Sequence, residues 1–272
     1  MSVNFSAESI KKYLPDGFNR LIFFDVIDST NEFCKREDLP DGTFVVAAAQ
    51  TGGKGRMGRR FESKAGGVFL SFRFSPSVPA DRLACVTGMA AVTAARAITE
   101  VAGEGCSVKW VNDILLGGKK IGGILCETEF CGGAPTVILG IGINANNPAQ
   151  DFAWDEEKKA GSILTETGKT VDPSRLAAAL IDNLDALRFD LEDGNISAYL
   201  EEYRRICTTL GHEVTLLWRD GSKEFSQYGE RSFGFAKAVS ETFGLEVEYS
   251  DGTREELVSG EVSVRGADGK YK

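Results

Sequence analysis

The sequence predicts an α/β protein in two parts, with strands and amphipathic helices interleaved over residues 1–210 and a small all-β barrel over residues 211–272. Up to Leu210, apolar runs of strand length alternate with segments whose apolar residues recur every three or four positions. After Gly211 the helical period disappears, and short strands follow one another through turns such as Asp220-Gly221 and Asp251-Gly252. With 272 residues, 42% of them hydrophobic, the chain can fill one core of ordinary size and a small second one without metal or disulfide support.

Ser6 opens a short amphipathic helix that runs to about Leu14. Leu21–Ile27 reads as a strand that stops at Asp28-Ser29-Thr30-Asn31, a helix-capping cluster with Asn31–Arg36 as the helix it starts. Thr43–Ala49 is a second strand, Gln50–Phe61 a glycine-rich basic loop, and Gly67–Phe74 a strand that alternates like a half-buried one. Pro79 opens a long helix with Leu83, Val86, Ala90, Ala94, Ile98 and Val101 on one face. Val108–Leu116 and Lys120–Phe130 read as two strands joined at Gly117-Gly118, a hairpin signal. Thr136–Ile143 is another strand and Asn144–Ser162 a polar loop. Two amphipathic helices follow, marked by Leu176, Leu180, Leu184, Leu187 and Leu191, then by Ile196, Leu200, Tyr203, Ile206 and Leu210. The closing strands are Glu213–Trp218, Gly234–Val239, Leu245–Tyr249, Glu256–Val258 and Glu261–Arg265.

No stretch approaches the ~20 apolar residues that cross a bilayer, and the first residues have neither the basic nor the apolar region of a signal peptide. A cytoplasmic protein is expected. The six cysteines contain no CxxC pair, so reduced thiols are expected. A single histidine, His212, rules out a metal site built on several histidines. The net charge of −9 argues against a nucleic-acid-binding surface over the whole molecule, yet Lys54, Arg56, Arg59 and Arg60 form a local basic cluster.

That cluster sits in QTGGKGRMGRRF, residues 50–61. Glycines at 52, 53, 55 and 58 let the backbone approach a ligand, and successive N–H groups there can form an anion-binding nest. Lys54, Arg56 and Arg59 add charge-assisted donors suited to phosphate or carboxylate. The Walker A reading fails, because Arg59-Arg60 stands where Lys-Ser/Thr is needed and a strand follows instead of a helix. Gly140–Asn146 (GIGINAN) is not a dinucleotide fingerprint either, since no helix follows it. Taken alone, the basic loop also fits a surface turn.

The hairpin VKWVNDILLGGKKIGGILCE adds a carboxylate and a lysine. With Gly117-Gly118 as a two-residue turn, Leu116 faces Lys119, Leu115 faces Lys120, and Asp113 lies diagonal to Lys120 on the same face. A solvated surface hairpin is the plain alternative. Against it, Asp113 interrupts an apolar strand, and Gly122-Gly123 removes side-chain bulk, as happens where a ligand meets the backbone.

In order and spacing, these segments resemble the biotin protein ligases from Phe24 to Arg265. The family's Ser-Thr-Asn element appears as Ser29-Thr30-Asn31, and its Gln-x-x-Gly-Arg-Gly-Arg-x-Gly-Arg loop as Gln50–Arg59. Its Lys-Trp-Pro-Asn-Asp motif appears as Lys109–Asp113, followed by Lys120 and Gly123-Ile124. Gly140–Asn144 matches its Gly-x-Gly-x-Asn strand, and SGEVSVR, residues 259–265, its closing strand. Lys54 stands for an arginine, Val111 for the proline and Phe61 for a tryptophan.

The resemblance implies a central mixed sheet flanked by helices, like that of class II aminoacyl-tRNA synthetases, followed by a Src-homology-3-like barrel. It implies that biotin and Mg-ATP form biotinyl-5′-adenylate, and that a lysine of a biotin carboxyl carrier protein domain then takes the biotinyl group. Lys120, Asp113 and Arg56 are the implied catalytic residues. Ser29, Thr30, Asn31, Gln50, Lys54, Gly55, Arg56, Lys120 and Gly123 are implied for biotin. Gly53, Arg56, Arg59, Trp110, Asn112, Asp113, Asn144 and Arg265 are implied for the nucleotide. Magnesium is implied to arrive with ATP, near Asp113, without a dedicated protein site. Ser29 also reads as a helix cap and Arg265 as an exposed edge-strand residue.

A lipoate or octanoate ligase or transferase shares the implied fold, but the basic loop and the closing strand favour biotin. A non-catalytic biotin-binding regulator leaves Lys120 opposite Asp113 unexplained. A DNA-binding repressor is not expected, because the catalytic segment begins near residue 20, which leaves too little chain for a helix-turn-helix domain. Neither a DNA nor a membrane partner is expected, and both monomer and homodimer stay open.

Overall fold

Ser6 caps α1 (Ala7–Lys11) by exchanging hydrogen bonds with Ser9, and a turn ends the helix before Leu14. The computed structural model describes residues 5–131, 134–155, 159–218, 233–258 and 262–266. β1 (Leu21–Ile27) leads through Ser29, the N-cap of α2 (Thr30–Arg36), into β2 (Thr43–Gln50). This short crossover makes β1 and β2 parallel, with Phe23 opposite Val46 and Ile27 opposite Gln50. β3 (Val68–Phe74), β4 (Ser107–Lys109), β5 (Asp113–Leu116), β6 (Lys119–Cys131) and β7 (Ala134–Ile143) join antiparallel, in the order β1-β2-β3-β7-β6-β5-β4. The result is a mixed seven-stranded sheet.

Alternation along the strands sends Phe44, Val46, Leu70, Phe72, Leu139 and Ile141 into the main core, against α3 (Cys85–Ala102) and the helices beyond it. α4 (Ile163–Thr167) lies within the segment after Asn144, where the sequence suggested only a polar loop running to Ser162 and then α5. α5 (Pro173–Asp193) starts on an Asp172 cap with Pro173 in its first turn, and α6 (Ser197–Ile206) follows. On the opposite sheet face, α2 closes a smaller core of Cys34, Val45 and Ile138. The stretch Ala80–Ala102 is long and apolar enough by composition to cross a bilayer, but 72% of its apolar window is buried inside the protein, so it is a core helix here.

Two expectations need correction. Val108–Leu116 is not one strand: β4 and β5 run antiparallel, with Lys109 opposite Asp113, and the chain reverses at Trp110-Val111-Asn112. Apolar residues flank the reversal on both sides, and no glycine or proline marks it. The β5–β6 hairpin turns at Gly117 (φ 57°) and Gly118 (φ 80°), as a two-residue turn of this hand requires. Leu115 faces Lys120 as expected, but a bulge at Ile121 then shifts the register, so Asp113 faces Gly123 and Ile114 faces Gly122.

Just past Leu210 begins a second, antiparallel sheet, of β8 (Glu213–Trp218), β9 (Phe233–Val239), β10 (Leu245–Glu248), β11 (Arg254–Leu257) and β12 (Val262–Gly266). Its order, β11-β10-β9-β8-β12, gives the small β-domain the sequence predicts. The Asp220-Gly221 turn and Ser259–Glu261 of the closing motif lie outside the described residues. Phe243, between β9 and β10 at φ 62°, plugs this sheet into the first part. Its ring packs on Gly88 of α3, where a Cβ would come within 2.0 Å, and stands edge-on to Tyr203 of α6 at 5.2 Å. Its carbonyl accepts the Trp110 indole N–H at 2.9 Å, and Arg204 Nε donates to the Val239 carbonyl at 2.9 Å.

Removing this plug leaves a cavity between the second sheet and helices α3 and α6. Phe243→Ala is expected to cost about 3–5 kcal/mol in urea denaturation; a loss under about 1 kcal/mol would mean that the ring does not hold the sheets together.

Candidate active site

The cleft lies on the α2 side of the sheet, and its floor is built from residues without side chains. Gly140 and Gly142 on β7 and Gly123 on β6 line it. A Cβ at Gly140 would lie 2.3 Å from Asn31 Oδ1, and one at Gly142 would lie 2.8 Å from the Phe61 ring. Only glycine lets the polar start of α2 and the end of the basic loop descend onto the strands there.

At one end, α2 and β2 present a hydrogen-bonded polar set. The Thr30 backbone N–H and hydroxyl donate to Gln50 Oε1 at 2.8 and 3.1 Å, and Gln50 Nε2 donates to Ser63 Oγ at 3.0 Å. Asn31 Nδ2 donates to Glu127 Oε2 at 2.9 Å, while Ser71 Oγ lies 2.6 Å from Asn31 Oδ1 and 2.7 Å from Thr30 Oγ1. Ser29 both caps α2 through Glu32 N–H, at 3.4 Å, and lines the cleft. Thr30 and Asn31 are buried, so an unmatched ligand group here would leave polar atoms without partners.

The basic loop forms one wall. Gly55 N–H bonds the Arg59 carbonyl at 2.7 Å and Phe61 N–H bonds the Gly53 carbonyl at 3.0 Å, folding the loop back across a turn at Met57 and Gly58. Lys54 pairs with Glu32 of α2 at 2.9 Å, tying the loop to the helix. Arg56 turns inward: Nη1 donates to Asn112 Oδ1 at 3.0 Å, whereas Nη2 is buried with no hydrogen-bond partner among the described residues. Burial pushes the Arg56 guanidinium below its ordinary value while Asp113 pulls it up; it stays a protonated, donor-only cation.

The far wall is the turn between β4 and β5. Trp110 N–H is held by Thr209 Oγ1 at 3.0 Å, the Val111 carbonyl by the Tyr203 hydroxyl at 3.2 Å, and Asn112 Nδ2 donates to the Ile124 carbonyl at 2.9 Å. Across from it the bulge presents Lys120. On its edge away from β5, Lys120 N–H bonds the Lys159 carbonyl at 2.7 Å, and the Lys120 carbonyl accepts Gly161 N–H at 3.0 Å. Its Nζ meets Asp113 Oδ1 at 2.5 Å, with the pair largely but not wholly shielded. Among the described lining residues, Lys54, Arg56, Arg59, Arg60, Lys109 and Lys120 face a single carboxylate, Asp113, so the cleft suits an anionic ligand. No group of three or more His, Cys, Asp or Glu side chains among the described residues can hold a metal ion.

Thus Ser29, Thr30, Asn31, Gln50, Lys54, Gly55, Arg56, Arg59, Trp110, Asn112, Asp113, Lys120 and Gly123 come together around one cleft. Gly53 and Asn144 stand behind it. A Cβ on Gly53 would meet Ser63 Oγ at 2.4 Å, so Gly53 lets the two ends of the loop cross. Asn144 fastens the segment behind Lys120, with its N–H on the Ile121 carbonyl at 2.7 Å and its Nδ2 on the Gly161 carbonyl at 3.0 Å. Arg265 pairs with Thr215 in β12, and its side chain lies outside the described residues. Sequence reading missed Phe69, Ser71, Glu127 and Lys35. Alternation in β3 and β6 marks faces, but only the assembled sheet shows which of these reach α2.

The chain resembles known proteins throughout. A model of the biotin/lipoate A/B protein ligase family matches residues 23–144. The bifunctional ligase/repressor BirA of Bacillus subtilis is 39% identical over 157 residues, covering 56% of this chain and 48% of that protein. The bifunctional ligase/repressor BirA of Salmonella typhimurium is 30% identical over 269 residues, covering 96% of this chain and 79% of that protein. Among solved structures, biotin protein ligase from Aquifex aeolicus in complex with biotin and ATP superposes with a TM-score of 0.74 at 27% identity, covering 92% of this chain and all of that one. The chain spans about half the length of the Bacillus relative it matches.

Two outcomes test the geometry. Gly140→Ala drives a methyl group into Asn31, so ligand binding should fall at least tenfold by calorimetry; unchanged affinity would show that Asn31 yields freely. Hydrogen bonds from Lys54 and then Lys35 hold the Glu32 carboxyl below its ordinary range. With a depressed folded-state pKa, this contact contributes fully above the ordinary carboxylate value of about 4.3 and is lost as pH falls through the depressed one. The Tm gap between wild type and Glu32→Gln should therefore be constant near neutrality and close in acid. A pH-independent gap would remove the ionic contribution.

Proposed function

Because the chain belongs to the biotin/lipoate A/B protein ligase family, we propose that it is a biotin–protein ligase. It condenses biotin with ATP to biotinyl-5′-adenylate and pyrophosphate, then passes the biotinyl group to a lysine of a biotin carboxyl carrier protein domain. The observation that carries this reading is one cleft with two unlike ends, a neutral polar pocket at Thr30, Asn31 and Gln50 and a cationic one at Arg56 and Lys120. The first suits a cyclic urea and the second a carboxylate beside a phosphate.

Ser29, Thr30, Asn31 and Gln50 hold the ureido ring, and Gly123 leaves room for the chain that follows. A biotin carboxylate oxygen attacks the α-phosphorus of ATP, and the bond to the pyrophosphate oxygen breaks. Lys120 bridges the carboxylate and the α-phosphate and stabilises the charge that builds there. Asp113 keeps the ammonium on that line, and Arg56, fixed by Asn112, supplies its spare Nη2 donors to the phosphate. Magnesium, arriving with ATP near Asp113, would supply positive charge to offset that of the phosphates. Trp110 and Asn112 flank the nucleotide, and Lys54, Gly55 and Arg59 close the loop over the adenylate, away from water. Gly53 and Asn144 support the loop and Lys120 from behind, and Arg265 is assigned to the nucleotide on the family's closing strand alone. In the second half-reaction the acceptor amine attacks the acyl carbon, AMP leaves with the bonding electrons, and the amine loses a proton. The enzyme works in the cytoplasm.

Purified chain, labelled ATP, and biotin or lipoate in parallel test the proposal: pyrophosphate release should depend on biotin. Lys120→Ala should lower that rate by roughly 10²–10³. Release without biotin dependence, or equal turnover with lipoate, would reject the assignment, and an unchanged rate in Lys120→Ala would reject the role of the lysine.

A further inference from the structure

Asn31 is buried at the polar end of the cleft, and its amide has two orientations with opposite hydrogen-bonding character. We propose that Glu127 and Lys35, neither of which lines the cleft, are positioning residues. They lock Asn31 so that its carbonyl oxygen faces the ligand, which makes the pocket select a head group that donates an N–H. The inference rests on the biotin reading and deepens it: a cyclic urea offers that N–H, and a dithiolane ring does not.

The physical case is one of forced polarity. An ionised carboxylate only accepts hydrogen bonds, so Glu127 Oε2, 2.9 Å from the Asn31 amide, must face the NH2 group. The Leu125 carbonyl, at 3.5 Å, sits on the same side and accepts too. The other Glu127 oxygen is taken by Lys35 Nζ at 2.6 Å, and Lys35 also reaches Glu32 at 3.1 Å. An ammonium only donates, so Lys35 holds the second Glu127 oxygen and keeps the carboxylate turned toward Asn31. On the opposite side, Ser71 Oγ lies 2.6 Å from Asn31 Oδ1, and a hydroxyl facing a carbonyl oxygen donates its proton. Gly140 beneath leaves no room for a shifted side chain, since a Cβ there would lie 2.3 Å from Oδ1. The remaining lone pair of Oδ1 is therefore an acceptor presented to the cleft that Asn31 lines.

Gln50 is polarised by the same logic. The Thr30 backbone N–H can only donate, so Oε1 faces it and Nε2 faces Ser63. The polar end thus offers an acceptor from Asn31, the complement of an N–H, beside a Gln50 whose amide is fixed by Thr30 and Ser63. Glu127 and Lys35 govern that acceptor from one layer behind the wall.

The test measures biotin affinity by calorimetry on the full chain, with biotin-dependent pyrophosphate release in parallel. Glu127→Ala frees the Asn31 amide to turn, and should weaken biotin binding and raise its KM roughly tenfold or more. The kcat and the KM for ATP should stay within about twofold, because Asn31 binds ground state and transition state alike. Lys35→Met should shift the biotin KM in the same direction by less, with Lys35→Arg restoring it. In an Asn31→Ala background, Glu127→Ala should have no further effect on biotin. Unchanged biotin affinity in both Glu127→Ala and Lys35→Met, additive effects in the double variant, or an equal rise in the KM for ATP would each overturn the inference. A wild type that binds biotin without releasing pyrophosphate overturns the enzymatic reading but leaves the affinity test intact. A wild type that binds no biotin overturns both.

Discussion

A ligand can lie on a seven-stranded sheet only where the strands give up their side chains, and the whole site depends on that concession at Gly140, Gly142 and Gly123. Each absent Cβ admits a neighbour. Asn31 settles over Gly140, and Phe61 over Gly142, with both Phe61 and the Lys120 side chain within 3.6 Å of a Cβ built at Gly123. These three side chains come from a helix start, a loop and a bulged strand, segments distant in sequence. The sheet brings them together because β7 and β6 are antiparallel neighbours, with Gly142 directly opposite Gly123. Loss of apolar packing on this face is offset on the other, where Leu139, Ile141 and Ile143 of the same strand are buried in the main core.

Charge is distributed with equal economy. The chain carries a net charge of −9, yet the described cleft lining holds six cations against one carboxylate. Like charges this close repel unless anions are interleaved, and they are: Asp113 sits against Lys120, and Glu32 lies between Lys35 and Lys54. Lys54, Glu32, Lys35 and Glu127 thus alternate in sign from the loop to the Asn31 amide. Each exposed link is worth little alone. Their joint effect is geometric, because every group in the row has a donor-only or acceptor-only neighbour and hence one orientation. The lysine at position 54, where the family's motif has arginine, fits this row as a single-point donor to Glu32.

Much of the site was legible because its parts are short and local. Gln50–Phe61 declares itself by glycines and arginines in one stretch, and the parity argument for Asp113 and Lys120 needed only a two-residue turn at Gly117-Gly118. Even so, the parity was right for an incomplete reason, since the bulge at Ile121 moves Asp113 opposite Gly123 while the two side chains still meet. A bulge has no compositional signature when the extra residue is an ordinary isoleucine. The reversal at Trp110–Asn112 was hidden because β4 and β5 are only three and four residues long, too short for periodicity to show a break, and no glycine or proline marks the turn. Ser71, Glu127 and Lys35 were illegible for a different reason. Each lies on a strand or helix whose local pattern is satisfied by solvent or core, and their roles exist only across sequence separations of 40, 96 and 92 residues.

The second sheet enters through the same turn that periodicity missed. Trp110 is held from two sides, its backbone by Thr209 and its indole by the Phe243 carbonyl, while Val111 is held by Tyr203, whose ring meets Phe243 edge-on. Asn112, next in the chain, then holds Arg56, and Asp113 holds Lys120. Four consecutive residues thus translate the position of the second sheet into the positions of both inward cations. A side chain that must neutralise charge in a transition state gains from being fixed beforehand, because the reorganisation has already been met in folding. On this view the small β-domain acts as a clamp on the turn as well as a surface of its own. Phe243, at φ 62° in a conformation that L-residues avoid, is held there because ring and carbonyl are both engaged.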